Sequence, residues 1–246
     1  MKRLRHGGKW LFLFLFISIP LFGANKAWQV KAPGGSEADL ETNISYYYGT
    51  SSEQVELSNE DGALLFADRL TYKEKEEDFH AEGHIDMVKK QPKLRRIIGN
   101  ELFYNSLTED FSLPSGGRVT FGPEQSVLTA DEIKGNLKRE NFVARNNCRY
   151  TDPDGILTSV QMDGDMISGV FNAHEQVVFV GKKATIRSEN AVYYQKEERA
   201  IFKDKPVATQ DKKTFTATEI IYDMKNKHIK ALGPVRYISP GDGGSK

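Results

Sequence analysis

The residues of this chain that could do chemistry are few, and they do not form a known catalytic pattern. His80 and His84 lie four residues apart in one predicted strand, so they share a face and could bind one metal ion. The segment Asp163–Asp165 could belong to a calcium loop, but the other ligands of an EF-hand loop are missing. We therefore expect solvated histidines and an ordinary turn here, with no metal site and no cofactor.

Cys148 is the single cysteine, which excludes an intramolecular disulfide and a multi-cysteine metal site. No nucleophile–base pair, zinc-protease motif or phosphate-binding loop occurs. Acidic and basic residues balance at 34 each, which does not favour nucleic acid as a partner. The sequence predicts that the protein is not an enzyme and has no catalytic residue. Its densest basic run, "VKKQPKLRR" at 88–96, is either a solvated loop or a site of contact with an anion.

The first 24 residues have the features of an export segment. A basic start, "MKRLRHGGK", precedes the apolar run Trp10–Phe22. Phe22 is a poor residue for the −3 position of a cleavage site after Ala24, so an uncleaved inner-membrane anchor is the alternative to a cleaved signal. In either case the rest of the chain is expected in the periplasm.

The dominant feature of the remaining chain is a repeat of about 30 residues. Each unit begins with a short polar or acidic residue, which we call the anchor: Asp68, Asn100, Asp131, Gln161, Asn190 and Thr218. Two and four residues after most anchors lie an apolar residue and a Tyr, a pattern typical of a half-buried strand. A charged segment follows. A second strand then repeats a large apolar residue, a small residue, a Gly-like residue and a β-branched residue along one face.

Each unit therefore predicts a β-hairpin, which cannot bury its apolar face without neighbours. The sequence predicts an all-β, elongated, open and twisted jelly roll of stacked antiparallel hairpins. We expect the repeat domain over 64–238, a degenerate repeat within 25–63 and a disordered tail over 239–246. The interior has two interpretations: the two halves of the sheet fill it with side chains, or its small residues leave a groove for alkyl chains.

Three stretches carry a resemblance to a known family. "ADRLTY…AEGHIDMV", "ENAVYYQKEERAIFKDKPVATQ" and "TATEIIYDMKNKHIKALGPVRYI" resemble the repeats of the OstA-like family of lipopolysaccharide-export proteins. This resemblance implies that the interior holds the acyl chains of lipopolysaccharide or a related lipid. It also implies that the protein pairs head-to-tail with other jelly rolls of the export bridge through terminal edge strands. An inner-membrane transporter is a further implied partner.

The candidate lipid-binding residues are the apolar residues on the predicted inner face. They are Leu70, Tyr72, Phe79, Ile85, Leu102, Tyr104, Val119, Ile133, Phe142, Phe171, Val192, Tyr194, Ile201, Ile220, Tyr222 and Ile229. The candidate partner edge is one C-terminal strand from about His228 to Ile238. Its residues are Ile229, Ala231, Val235 and Tyr237.

Within the family, the sequence favours a bridging role like that of LptA, and the uncertain cleavage site keeps open an anchored role like that of LptC. Two other classes remain as alternatives: a structural β-repeat protein without ligand, and a β-solenoid enzyme acting on polysaccharide.

Overall fold

The computed structural model describes residues 28–90, 94–121 and 126–239, which form antiparallel β-structure and one 3₁₀ turn, Gln195–Glu197. The strands are β1 (Trp28–Lys31), β2 (Gly35–Asp39), β3 (Ile44–Tyr48), β4 (Val55–Asn59), β5 (Ala63–Ala67), β6 (Arg69–Lys73), β7 (Asp78–Lys89), β8 (Arg95–Asn105), β9 (Asp110–Leu113), β10 (Gly117–Phe121), β11 (Ser126–Ala130), β12 (Glu132–Asn136), β13 (Asn141–Asp152), β14 (Gly155–Asp165), β15 (Val170–Gly181), β16 (Thr185–Tyr194), β17 (Arg199–Lys203), β18 (Val207–Gln210), β19 (Lys213–Thr216), β20 (Glu219–Asp223), β21 (His228–Leu232) and β22 (Arg236–Ile238). The predicted export segment and the tail from residue 240 lie outside the described residues.

One sheet folds back on itself, because the longest strands bend in the middle and pair through each half separately. The first ladder, sheet A, has the order β2-β3-β6-β7-β8-β9-β12-β13-β14-β15-β16-β17-β20-β21. The second, sheet B, has the order β1-β4-β5-β7-β8-β10-β11-β13-β14-β15-β16-β18-β19-β22. The predicted all-β jelly roll of stacked antiparallel hairpins is confirmed. A β-solenoid, whose coils each stack three strands, is excluded for the described residues.

The corners between the two sheets explain the Gly-like position of the repeat. Strands bend there through residues in the left-handed region, where Gly and Asn are tolerated best. In β7 these residues are Gly83 and His84, and in β13 they are Asn146 and Asn147. Equivalent residues with positive φ elsewhere are Gly116, Glu175, Gln176, Asp204, Lys205 and Gly233. Each bend is a β-bulge in its pairing or a break between two short strands, as expected where a sheet turns a corner.

The anchors of the repeat stabilise these corners. The Asp68 carboxylate hydrogen-bonds His84 Nδ1 over 2.7 Å, which lowers the pKa of that carboxyl. Asp131 accepts from the Asn147 side chain over 2.7 Å in the same way. Asn190 donates to the Asp204 carboxylate over 2.7 Å. A short polar residue recurs at the anchor because its side chain hydrogen-bonds a corner residue of the neighbouring strand.

Hairpin turns of sheet A line the opposite long side of the molecule. Each turn ends in a residue with positive φ whose carbonyl accepts a hydrogen bond from the backbone of the next turn, as from Ser106 to Glu77 and from Leu137 to Glu109. The same bond joins Met166 to Glu140 and Met224 to Glu198. The charged segments of the sequence are therefore these turns, and their hydrogen bonds connect neighbouring hairpins along the stack.

The two ends of the stack are formed by short strands, and the C-terminal end differs from the sequence prediction. Residues 28–59 supply β1–β4, which join both sheets ahead of the first predicted unit. The single last strand predicted from His228 to Ile238 is wrong. Gly233, with φ of +88°, turns a corner there, so β21 ends sheet A and β22 ends sheet B.

The corners generate the first prediction. Gly83 and Gly62 both have φ of +76°, but only a Cβ at Gly83 meets another group, the Asp68 carboxylate, at 2.3 Å. Gly62→Ala should lower the free energy of unfolding by about 1 kcal/mol through backbone strain alone. Gly83→Ala should cost about 1–2 kcal/mol more, because it also displaces the bond from Asp68 to His84. Urea unfolding of both variants measures the difference, and equal losses would contradict the role assigned to this corner.

Candidate functional site

The interior between the two sheets is the first candidate site. Most of the residues predicted for it are fully or almost fully buried on the inner face. These are Leu70, Tyr72, Phe79, Ile85, Leu102, Tyr104, Val119, Ile133, Phe142, Phe171, Ile220 and Tyr222. Ile229 is half-buried and packs against this core.

Three predicted inner residues lie on the outer face instead, so their assignment is corrected. In β16 the buried residues are Ala191 and Tyr193, and Val192 and Tyr194 alternate with them on the other face. In β17 Phe202 is buried and Ile201 is not. In β16 Val192 and Tyr194 make the outer face as apolar as the inner one, so alternation does not fix which face is buried, and a slip of one residue moves every side chain to the other face. In β17 the outer face carries Arg199 and Lys203, so alternation favours Phe202 as the inner residue, and Ile201 was assigned against it.

Side chains from the two sheets meet across the interior. Trp28 of sheet B packs edge-on against Phe79 of sheet A at 5.3 Å between ring centroids. Phe179 of sheet B lies 5.7 Å from Tyr222 of sheet A, with the two rings tilted against each other. Gly164, at an inward position, has the Phe171 and Phe142 rings within 3 Å of where its Cβ would be. The inner-face side chains are almost inaccessible to water, and rings occupy the space beside Gly164, so side chains fill the interior.

The two ends of this interior are covered unequally. Trp28 on the edge strand β1 is only 4% exposed, so its ring covers the core at the N-terminal end. At the other end Tyr237 of β22 stacks on Phe215 at 5.1 Å and remains 51% exposed. Val235, before β22, is exposed to the same degree, and Ala231 of β21 is half-buried. The apolar interior thus reaches solvent at the C-terminal end.

Polar contacts close the long side opposite the corners, which we call the seam. It lies where the hairpin turns and strand ends of sheet A meet the strand ends of sheet B. Lys89 pairs with Glu109 and Arg95 pairs with Glu140, and all four side chains are largely buried.

Further along the seam the Tyr193 hydroxyl donates to Asp152 over 2.5 Å, and the Gln195 amide donates to Ser126 over 3.2 Å. Burial raises the pKa of Tyr193, so its hydroxyl stays a donor. Burial also raises the pKa of the Asp152 carboxyl, and the hydrogen bond from Tyr193 opposes this rise.

Sequence reasoning missed this row of contacts. Lys89 and Arg95 belong to the basic run at 88–96, and alternation from Ile85 and Met87 was the signal that could have placed Lys89 on the inner face. Lys90 and Arg96, the neighbours of these two residues, are exposed as the solvated-loop interpretation expects.

The outer face of sheet A carries a second concavity, a groove of about 880 Å³. A cross-strand row runs through it from His80 through Phe103 to Lys134 and Val143. His80 stacks on Phe103 at 4.2 Å, and Phe103 is 44% exposed. The Asn and Asp side chains at its rim bond one another, as Asn136 does with Asp110 over 2.6 Å, so the rim is held by its own contacts.

Part of the chain is similar to a known protein family. Residues 117–228 match the family model described as LptA/(LptD N-terminal domain) LPS transport protein. This segment is similar to the members of that family. The resemblance to OstA-like export proteins is confirmed on it, and it contains inner-face residues from Val119 to Tyr222.

One solved structure also has a distant similarity to part of this chain. The match is to the crystal structure of LptH, the LptA homologous periplasmic component of the lipopolysaccharide transport device from Pseudomonas aeruginosa. Identity is 16%, the TM-score is 0.43, and the match covers 46% of this chain and 93% of that one. No curated protein matches the chain.

His80 and His84 do not meet at a common site. His80 bonds Glu101 over 3.2 Å, and His84 bonds Asp68 at a corner. Within the described ranges no group of three or more His, Cys, Asp or Glu side chains is placed to hold a metal ion. No helix in those ranges is both long and apolar enough to cross a membrane.

Cys148 generates the second prediction. It is buried on the inner face beside a corner, as predicted, and burial raises the pKa of its thiol to about 11. At neutral pH its thiolate fraction is therefore about 100-fold below that of an ordinary thiol, and only thiolate reacts. An aromatic disulfide reagent should label native protein at least about 100-fold more slowly than protein unfolded in guanidinium.

The matched control is Val143→Cys in a Cys148→Ser background, because Val143 is exposed on a neighbouring stretch of the same strand. That thiol should react at a similar rate in both states. Rapid native labelling of Cys148 would show that this part of the interior is open to solvent.

Proposed function

We propose that this chain is a periplasmic lipopolysaccharide-transport protein that holds acyl chains between sheets A and B. The observation that carries the proposal is the family match over residues 117–228, which coincides with a continuous apolar interior. A protein that acts by binding, with no catalytic chemistry of its own, agrees with the absence of a catalytic motif from the sequence.

Acyl chains can enter this interior only if the two sheets separate, because side chains now fill it. Replacing contacts between apolar side chains by contacts with alkyl chains is favourable, because no apolar surface is left exposed to water. The two sheets can separate at the polar seam without breaking a strand, because the continuous strands pass from one sheet to the other on the corner side. The proposed site is the inner-face set named above, with Ala191, Tyr193 and Phe202 in place of Val192, Tyr194 and Ile201.

We further propose that the chain bridges partners head-to-tail in the manner of LptA. Both ends of the stack finish in edge strands, β1 and β2 at one end and β21 and β22 at the other. The C-terminal end is the better partner surface, because Tyr237, Val235 and Ile238 are exposed apolar residues beside unshielded strand edges. An anchored role in the manner of LptC differs in whether residues 1–24 remain, and the intact mass of the purified protein decides between the two.

The third prediction tests lipid binding. A photo-crosslinking amino acid at Ile133 or Phe142, both on the inner face, should trap lipopolysaccharide in cells that make it. Controls at Arg69 and Lys138, which point outward, should give no adduct. Mass spectrometry of the purified adducts reads the result, and crosslinks from the outward positions alone would overturn the proposal in favour of a ligand-free repeat protein.

The fourth prediction tests the bridge. Deleting residues 229–246 removes most of β21 and all of β22, and should abolish association with the next jelly roll while the remaining strands keep their β-sheet signal in circular dichroism. Deleting 240–246 alone should leave association intact. Tyr237→Asp, which places a charge on the exposed edge, should weaken binding in a pull-down. Full binding by the longer deletion would place the interface elsewhere.

A further inference from the structure

We propose that Lys89 and Arg95 form an anion site at the seam, which takes the phosphate of an acylated lipid and which Glu109 and Glu140 occupy when no lipid is bound. This inference rests on the proposed lipid-binding function and adds the place where the headgroup lies. It also makes this stretch of the seam the lateral opening through which the chains enter.

The position of the two cations on the inner face is the first argument. Lys89 and Arg95 are direct cross-strand partners at the end of the paired region of β7 and β8. They belong to a buried row along the rim of sheet B, which continues to Phe121 and Ser126. One inward step deeper in these two strands lie Met87 and Ile97, both in the core. An alkyl chain lying on those residues places its headgroup at the cations.

The pairing of the two cations is the second argument. Like charges directly opposite each other on one face of a sheet repel, and the repulsion is stronger away from water. Lys89 and Arg95 therefore require anionic oxygens close to both, and the carboxylates of Glu109 and Glu140 supply them in this structure. A phosphate offers several anionic oxygens at one centre and matches the fork of a guanidinium, so it can serve both cations together.

The origin of the two carboxylates is the third argument. Glu109 and Glu140 come from hairpin turns of sheet A, whereas the cations come from sheet B, so both ion pairs cross the seam. Separation of the sheets breaks them and takes these carboxylates away from the buried cations, which is strongly unfavourable unless another anion replaces them. A phosphorylated lipid supplies that anion as its chains enter, and the glutamates swing toward solvent with their exposed turns, where Lys138 and Arg139 lie. A neutral lipid offers no such exchange.

The experiment compares two fluorescent probes on the full chain: a tetra-acylated glucosamine disaccharide with two phosphates, and the same molecule without phosphate. The double variant Lys89→Gln with Arg95→Gln should weaken binding of the phosphorylated probe about tenfold or more, the effect of losing one charged hydrogen bond. Binding of the phosphate-free probe should change by no more than about twofold. Glu109→Gln with Glu140→Gln, which removes the competing carboxylates, should tighten binding of the phosphorylated probe.

The matched control is Arg96→Gln with Lys134→Gln, two exposed cations on the outer face whose loss should affect neither probe. If the seam variants fail to fold, the unchanged protein still gives a test. Added salt should weaken binding of the phosphorylated probe and leave the phosphate-free probe unaffected.

The outcomes separate this inference from the proposed function. Equal weakening of both probes by the cation variant, or binding of the phosphorylated probe that is independent of salt, would show a seam that is structural only and would overturn the anion site. Failure of the unchanged protein to bind either probe would instead overturn lipid binding itself. Selective loss of the phosphorylated probe supports both.

Discussion

The whole structure depends on strands that turn a corner without losing their pairing. A flat antiparallel sheet of this length would expose one apolar face along its entire extent. The left-handed residues at each corner, Gly83 with His84 and Asn146 with Asn147 among them, fold that sheet so that its two halves cover each other. Because the anchors Asp68 and Asp131 bond these corners from neighbouring strands, each bend is fixed by the strand beside it. The fold therefore propagates from unit to unit, as in other repeat architectures.

The corners also decide where the molecule can open. On the corner side, continuous strands and backbone hydrogen bonds join the two sheets. On the seam side, the contacts between the sheets that we observe among the described residues involve side chains, as ion pairs and single hydrogen bonds such as that from Tyr193 to Asp152. Buried ion pairs contribute little net stability compared with apolar packing of the same volume, yet they are costly to break without a replacement anion. Such a seam stays closed in water, and a ligand that carries its own negative charge can open it.

Much of this architecture could be predicted from the sequence, because the repeat superimposes several weak signals. The polar anchors, the charged turns and the Gly-like corner residues each have a structural role at the place the pattern gave them. The inner face was predicted correctly around Leu70 and Ile133, where the alternating residues on the outer face are polar. It failed in β16, where Val192 and Tyr194 make the outer face as apolar as the inner one, and in β17, where Ile201 was chosen although Arg199 and Lys203 share its face. The break between β21 and β22 was missed, since Gly233 there also fits the interior of a strand.

The seam was beyond the reach of the sequence for a different reason. Alternation from Ile85 and Met87 points Lys89 inward, but Glu109 lies 20 residues further along the chain, and nothing in its local context identifies it as the partner of Lys89. The two residues become neighbours only when sheets A and B pack together, which brings Lys89 of sheet B against the turn of sheet A that carries Glu109.

The difference between the two ends then gives the molecule a direction. The N-terminal end is covered by Trp28, and the apolar interior reaches solvent beside Tyr237. A lipid admitted through the seam between β7 and β13 lies nearer the covered end, and the interior continues from there toward the exposed one.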